Sequence, residues 1–564
     1  MALALAVVCS LAVGPARSAS NLFFGFADDS PMGAGSKATA PALALGAHGF
    51  AFSLVWLPGK TAPSGVEATG LARAITAAQG ARVILVVRTA GASPPLSDSA
   101  QQQFCNYARN AVKSFPSVND VVVGNEPNAP YFWRPQFNRD GSSAAPAAYE
   151  ALLARCYDVL HAFRPGINVA APGTSPHGND NPNAADNISH SPTRFIQGMA
   201  AAYRSSGRTQ RIFDTVVHHP YGTVNGERPY EMHAGPSFIG EGDWNKLVST
   251  YGAAFAGTPQ AVPGRCLAPG PCVPLWYLES GFQTQARPGL SYHGFENVPT
   301  VPDISGGEAA SPSPLATSTA PDQATQLRYA LGLAYCQPYV EAIFNFLIRD
   351  DSNLLGYQSG VLWFDWRPKG SYGPLATVVA QLNARSLSCA APTAPPAPAR
   401  QLLDAPSRIS LRWGASSSPI GVSGYRVYRN GDLLGSTTGL SYVDSSLASY
   451  TGYSYVVRGY DAAGQTGEAS ATVAISTPAV TTNAAPHRTC QLVRVGRRAF
   501  RVRVVRGFVS CDVARRTMRA FIGKNRSPKR WRCARPHGPA SWTAACAQGR
   551  RKHPRVIVRA FRAR

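Results

Sequence analysis

Charge is scarce along most of this chain, and acidic charge is nearly missing from its end. Only 15% of the 564 residues are charged. From Arg488 to Arg564, 23 Lys and Arg face a single acid, Asp512, while the rest of the chain carries 31 basic and 30 acidic residues. The formal net charge of +23 therefore belongs to the tail, and the body is almost neutral. A nucleic-acid-binding reading of the whole chain is excluded on that ground. Long apolar runs are also lacking. Beyond residue 20 none reaches about 18 uninterrupted apolar residues, so no transmembrane helix is expected. No CxxC and no HxxxH spacing occurs, which weighs against a zinc site. No metal and no cofactor is expected. The length exceeds what one hydrophobic core supports, so two to four domains are expected.

The first twenty residues, 1–20, read as a signal peptide: the apolar run Ala2–Val13 is too short for a membrane span, and small residues follow it. No Lys or Arg precedes the run. Export implies a secreted or cell-wall-associated protein. Cys9 falls in this segment, leaving ten cysteines, and an even count in an exported chain favours disulfides. Proximity suggests Cys105 with Cys156, Cys266 with Cys272 and Cys336 with Cys389.

Residues 21–389 contain eight β-like apolar runs separated by helical patterns. The runs are LFFGFADD, GFAFSLVWLP, RVILVVRTAG, VVVGNEPN, INVAAPGTSP, FDTVVHHPYG, LWYLESGF and AIFNFLIRDD. Helical stretches such as SAQQQFCNYARNAVKSF carry apolar residues at three- and four-residue spacing. Eight strands alternating with helices over this length predict an α/β fold, a (β/α)₈ TIM barrel. The later loops are the long ones, including Gly173–Asn187 and Gln285–Pro321, where little regular structure is expected.

Residues 390–400, AAPTAPPAPAR, read as an extended Pro/Ala linker. Residues 401–478 alternate apolar and polar with turn signals such as Asn430-Gly431. With Trp413, the run around Tyr425 and Tyr428, and Tyr453-x-Tyr455-x-Val457, this stretch resembles a fibronectin type III domain, which implies an all-β sandwich used as a spacer or interaction module. After a second loose linker near Val480–Pro486, residues 487–564 form a basic segment with Cys490, Cys511, Cys533 and Cys546. Two disulfides and an amphipathic helix over Val513–Ile522 predict a small disulfide-held domain. Two readings of it stay open: a solvated Arg-rich surface, or an electrostatic anchor to anionic polymers of the cell envelope. Nucleic acid is the weaker partner because the chain reads as exported.

The chemistry concentrates at two strand ends. Glu126 follows the fourth run and Glu279 closes the seventh. In a (β/α)₈ barrel the C-terminal rim of the strands carries the active site, and two carboxylates facing one another across it suit glycoside cleavage. Asn125-Glu126-Pro127 and Glu279 resemble the clan A glycoside hydrolases, among them the family 5 cellulase-like members. The resemblance implies that Glu126 is the acid/base and Glu279 the nucleophile of a retaining double displacement on a β-linked polysaccharide or glycoconjugate. It also implies that Asn125 contacts a sugar 2-hydroxyl and that His219 and Tyr221 lie beside the nucleophile. Further substrate-binding candidates are Arg88 at the end of the third run, Trp133 in the aromatic stretch after Glu126, and Trp363 downstream of the eighth run. Blander readings exist for each. A glutamate after a strand is often ion-paired, the HHPY run could be a packed strand end, and Asp28 and Asp29 could cap a helix. Two alternatives remain: a non-catalytic carbohydrate-binding or wall adhesion protein on a barrel scaffold, and a transglycosylase using the same residues.

Overall fold

The computed structural model describes residues 21–266, 272–285, 300–304, 321–401, 407–478, 488–507, 509–536, 538–549 and 554–563. The expected signal segment, the second linker and most of Gln285–Pro321 lie outside the described residues. Eight parallel strands close into a barrel in sequence order. They are β1 (Phe23–Ala27), β2 (Gly49–Trp56), β3 (Arg82–Thr89), β4 (Asp120–Val123), β5 (Asn168–Thr174), β6 (Thr215–His218), β7 (Leu275–Ser280) and β8 (Val340–Phe346). Each lies within or overlaps its expected apolar run. Closure is made by β1 against β8, with Phe24 opposite Ile343 and Phe26 opposite Asn345.

The helices follow in order: α1 (Ser30–Ala34), α2 (Ser36–Ala44), α3 (Gly65–Ala77), α4 (Asp98–Ser114), α5 (Ala145–Phe163), α6 (Pro192–Ser205), α7 (Trp244–Ala254), α8 (Gln323–Cys336) and α9 (Tyr372–Asn383). Local chemistry starts several of them. Ser64 and Glu67 form a capping box at α3, and Ser97, Ser191 and Asp322 cap α4, α6 and α8.

Strand alternation divides the apolar side chains into two layers. Ile84, Val86, Val122, Val217, Leu278 and Phe344 fill the barrel interior. Their neighbours along the strands, such as Leu85, Val87, Val121 and Tyr277, pack outward against the helices. The interior is tight where Phe344 crosses it. A Cβ at Gly25 would lie 2.4 Å from that ring, so the smallest residue is required there. Cys105–Cys156 joins α4 to α5, Cys266–Cys272 closes the approach to β7, and Cys336–Cys389 ties the end of α8 to the chain leaving the barrel.

Compactness divides the chain into two units. One holds the barrel with 412–442 and 454–473, and the other holds 400–411, 443–453 and 474–564. The fibronectin type III-like sandwich consists of β9 (Ala399–Arg400), β10 (Arg408–Arg412), β11 (Gly424–Arg429), β12 (Asp432–Thr437), β13 (Ser441–Ser445), β14 (Gly452–Tyr460), β15 (Thr466–Ala469) and β16 (Val473–Ser476). β13, β10 and β9 make one sheet, and β12, β11, β14, β15 and β16 make the other. Trp413 packs edge-on against Tyr425 in its core. Within the first unit the Pro/Ala segment is not a free spacer. Thr393 N donates to Ser417 O at 2.9 Å, and Pro396 rests over Gly414. Ser423 Oγ also donates to the Tyr230 carbonyl at 2.8 Å, and Gln465 Nε2 to that of Cys389 at 2.8 Å.

The C-terminal segment folds as β17 (Arg488–Val495), β18 (Arg498–Arg506), α10 (Cys511–Lys524), β19 (Arg532–Ala534), β20 (Ala544–Gly549) and β21 (Pro554–Arg562). The sheet order is β17-β18-β21-β20-β19. Phe500, Val502, Met518, Phe521 and Val558 form its core. Cys490–Cys511 and Cys533–Cys546 brace it. Among the described residues no helix is long and apolar enough to cross a membrane.

Candidate active site

The rim of β4 to β7 is built from backbone constraints before side chains enter. β4 ends at Val123, whose carbonyl accepts from the Tyr149 hydroxyl of α5 at 2.6 Å. Gly124 then takes φ +84, and Glu126 itself takes φ +40. A left-handed backbone is uncommon outside glycine, and strained residues of this kind cluster at functional sites. Glu126 is held there by two bonds: its N–H donates to Gly173 O and its carbonyl accepts from Ala129 N, each at 2.9 Å. Gly173 is itself left-handed at φ +60 and lies under the His219 ring.

β6 delivers two histidines with different environments. His218 is buried, bonded at 2.8 Å to both Thr174 Oγ1 and the Ile239 carbonyl, and burial pushes it down to about 4. It is a neutral structural residue. His219 faces the carboxylates. Its Nδ1 lies 2.9 Å from Glu126 Oε1 and 3.7 Å from Glu279 Oε2. Tyr221 donates its hydroxyl to Glu279 Oε2 at 3.3 Å. Ligand atoms of Glu126, His219 and Glu279 all lie within 4.8 Å of one another. Both glutamates keep part of their side chains open to solvent, 16% for Glu126 and 21% for Glu279.

The electrostatics follow from this packing. Burial raises the Glu279 carboxyl; the His219 charge lowers it, the Glu126 charge raises it, and the Tyr221 hydroxyl and Arg88 lower it. For His219, burial works against the charged form, but the two carboxylates outweigh it and the imidazole is raised. Tyr221 is pushed well above its ordinary value by burial and by the Glu279 charge, so it stays a protonated donor.

A cavity of about 320 Å³ opens beside Glu279, with Asp29, Ser53, Phe346, Arg349 and Asp350 on its wall. Asp29 Oδ1 accepts from Ser53 N at 2.6 Å. Asp28 is buried and accepts from Ser30 N and Ile348 N, tying β1 to β8. Asp350 is fixed by Lys369, whose Nζ lies 2.7 Å from Asp350 Oδ1 and 2.8 Å from Thr284 Oγ1 with both ions buried.

The structure thus brings together Glu126, Glu279, His219 and Tyr221. Arg88 is near enough for its charge to act on both Asp29 and Glu279. Asn125 sits half-buried between Gly124 and Glu126. Trp133 requires a correction. It is not an exposed platform but a core residue, 2% exposed and edge-on to Tyr149 at 5.6 Å. The turn that bonds Trp133 N to Ala129 O folds the ring back onto α5; its neighbour Tyr131 is the exposed aromatic, at 63%. Trp363 is half-buried, with Lys369 Nζ 4.9 Å from its ring centre. It supports the Lys369–Asp350 pair and is not on the cavity wall.

No family model matches the chain. Short stretches are similar to curated proteins. An alpha-amylase of Niallia circulans is 44% identical over 73 residues, 13% of this chain and 6% of that protein. Chitinase Chi52 of Paenibacillus xylanexedens is 39% identical over 85 residues, 15% of this chain and 16% of that protein. Chitinase C of Streptomyces lividans is 40% identical over 89 residues, 16% and 14% respectively. The chain therefore spans a small part of each of these relatives' length. Among solved structures, a glucosidase from Croceicoccus marinus is similar at 12% identity and TM-score 0.41, over 77% of this chain and 95% of that one. A variant of Bacteroides uniformis beta-glucuronidase 2 follows at 14% identity and TM-score 0.37, over 85% and 48%.

Two residues of the site, Tyr357 and Asp29, were not expected there from the sequence. Tyr357 packs against Phe346 and Tyr221, with ring centres 5.1 and 6.3 Å away. Asp29, readable as a helix cap, makes no side-chain cap to α1 and faces the cavity instead. The Asp28-Asp29 doublet at a strand end was the available sign, since barrel strand ends open onto the rim.

Proposed function

We propose that this protein is a secreted retaining glycoside hydrolase, cleaving a β-linked polysaccharide or glycoconjugate by double displacement. The observation that carries the reading is the convergence of Glu126 and Glu279, with one carboxylate oxygen of each within 4.8 Å of the other and His219 close to both. Retaining enzymes hold their carboxyl groups about 5–5.5 Å apart, whereas inverting enzymes leave about 6.5–9.5 Å for a water. The short separation here favours direct attack.

In this mechanism Glu279 attacks the anomeric carbon from one face of the sugar while Glu126 gives its proton to the leaving oxygen. The covalent glycosyl ester removes the charge on Glu279. Glu126, now ionised, takes a proton from the incoming water, which displaces Glu279 and releases the sugar. His219 hydrogen-bonds Glu126 and, when protonated, favours the ionised form of Glu279; Tyr221 fixes the attacking oxygen. Asp29 lines the cavity beside Glu279 and would meet sugar hydroxyls there; in this reading Arg88 and Asn125 would contribute further polar contacts to the sugar. The carbohydrate-active relatives, chitinases and an amylase by their printed names, agree with a sugar-polymer substrate.

The test is turnover of a panel of aryl β-glycosides and β-linked polysaccharides by the full chain, with product configuration followed by NMR. Retention of configuration, together with a loss of at least about 10³-fold in Glu279→Gln, is expected. Inversion, or near-wild-type turnover by Glu279→Gln, would remove the assignment. The same three side chains could also grip a cation. Chelation that abolishes activity, restored by a divalent metal, would favour that second reading.

A further inference from the structure

Among the described residues, one face of the C-terminal sheet is covered by a helix and the other is open. Phe500, Val502 and Val504 of β18 and Val556, Val558 and Ala560 of β21 are buried. Among the described residues α10 is the helix that packs on this sheet. Alternation along the strands sends the intervening residues to the other side. Those are Arg501 and Arg503 on β18, and Ile557, Arg559 and Phe561 on β21. Register places Arg503 directly opposite Arg559, and Arg501 opposite Phe561.

Like charges directly across a ladder are destabilising, so this pairing needs a reason. No acid offsets it. Asp512 is the lone acid of the tail, and it pairs with Arg515 on α10. The two guanidinium groups are instead held by aromatic rings, Arg503 over Phe561 and Arg559 over Trp542, each 5.4 Å from the ring centre. Their Nε atoms are buried with no hydrogen-bond partner. Stacking of this kind fixes each fork and costs little ordering entropy when an anion arrives. Of the tail's 23 basic residues, 20 are Arg. That bias favours planar, bidentate recognition of an oxyanion over a diffuse field, which Lys would supply equally well.

We propose that this open face is a binding site for an acidic polysaccharide, a sugar chain bearing repeated carboxylate groups. Arg501, Arg503 and Arg559 take the carboxylates, and Trp542 and Phe561 supply the apolar surface beside them. Two disulfides brace the domain, which fits an oxidising compartment where nucleic acid is not the expected polyanion. The proposal is independent of the barrel chemistry, since the Glu279→Gln protein should bind as the wild type does.

The experiment is affinity electrophoresis and co-sedimentation of the full chain with polygalacturonate, its fully methyl-esterified form, dextran, duplex DNA and anionic phospholipid vesicles. Binding to polygalacturonate, weakened by salt and absent for the ester and dextran, is expected. Arg503→Gln/Arg559→Gln should weaken it at least tenfold. Arg516→Gln/Arg519→Gln, two exposed positions on α10, removes equal charge and should leave affinity within twofold. A thermal melt guards against misfolding. Because like-charge repulsion is relieved, the sheet variant should melt at or above the wild-type temperature, while polygalacturonate should raise the melt of the wild type alone. Equal losses in the two double variants would reduce the effect to net charge and overturn the site. So would transfer of the loss to Arg497→Gln/Arg535→Gln, which line a cavity of about 380 Å³ elsewhere on the domain. Tighter binding to DNA or vesicles than to polygalacturonate would overturn the choice of ligand.

Discussion

His219 Nδ1 lies 2.9 Å from Glu126 and 3.7 Å from Glu279, so one imidazole touches both carboxylates of the rim. Its charge is one of the forces opposing the rise that burial imposes on Glu279. A nucleophilic carboxylate must be ionised, so on the proposed mechanism activity should climb with pH through the Glu279 ionisation, which burial raises above the ordinary glutamate value. Replacing His219 by Gln removes a favourable charge and should move that acid limb to still higher pH, with a fall in kcat of about 10²-fold. The pH dependence of kcat/KM checks this; an acid limb that stays put or moves down would sink the coupling.

Glu126→Ala should retain glycosyl-enzyme formation on substrates whose leaving group needs no proton, and should stall on deglycosylation. Added azide should restore release, with a glycosyl azide as product visible by mass spectrometry. No azide effect would mean that Glu126 is not the acid/base.

Gly173→Ala tests the backbone under the site. A Cβ there would sit 3.5 Å from His219 Nε2, an ordinary contact, so the cost is that of φ +60. About 1–2 kcal/mol of stability should be lost, read by urea unfolding, with activity falling because the Gly173 carbonyl holds Glu126 N.

How much of this was legible beforehand differs by residue. The eight strands were readable because a strand buried on both faces is an unbroken apolar run, and β4 and β6 remain visible at four residues each. That Glu126 and Glu279 meet at one rim was readable because barrel closure fixes where strand ends go. Trp133 was not. Side-chain direction inside an irregular turn has no period, and adjacency to Glu126 suggested exposure where the chain folds the ring inward. Tyr357 and Asp350 come from the loop after β8, whose placement depends on tertiary contacts such as the buried Lys369.

The Trp133 finding carries its own test. Trp133→Ala should cost about 3–5 kcal/mol as a core truncation, and Tyr131→Ala less than about 0.5 kcal/mol as a surface change. Comparable losses in the two variants, by thermal or urea unfolding, would contradict the packing.

Lys369→Met should destabilise by about 3–5 kcal/mol at pH 7 to 8, since it strands a buried Asp350. Burial already raises Asp350 to about 6 even with Lys369 present. Proton uptake on acidification through that region removes the stranded charge, so the deficit should shrink by pH 5. Urea midpoints across pH measure it, and a deficit that grows on acidification would refute the pairing.

The left-handed turn at position 126 also says something about side-chain length. Asn and Asp settle into positive φ more readily than glutamate does. A chain shaped only for an easy bend would carry one of those shorter residues. This one keeps the longer acid, so conformational comfort gives way to reach, and the extra methylene carries the carboxyl group to its imidazole neighbour across the rim.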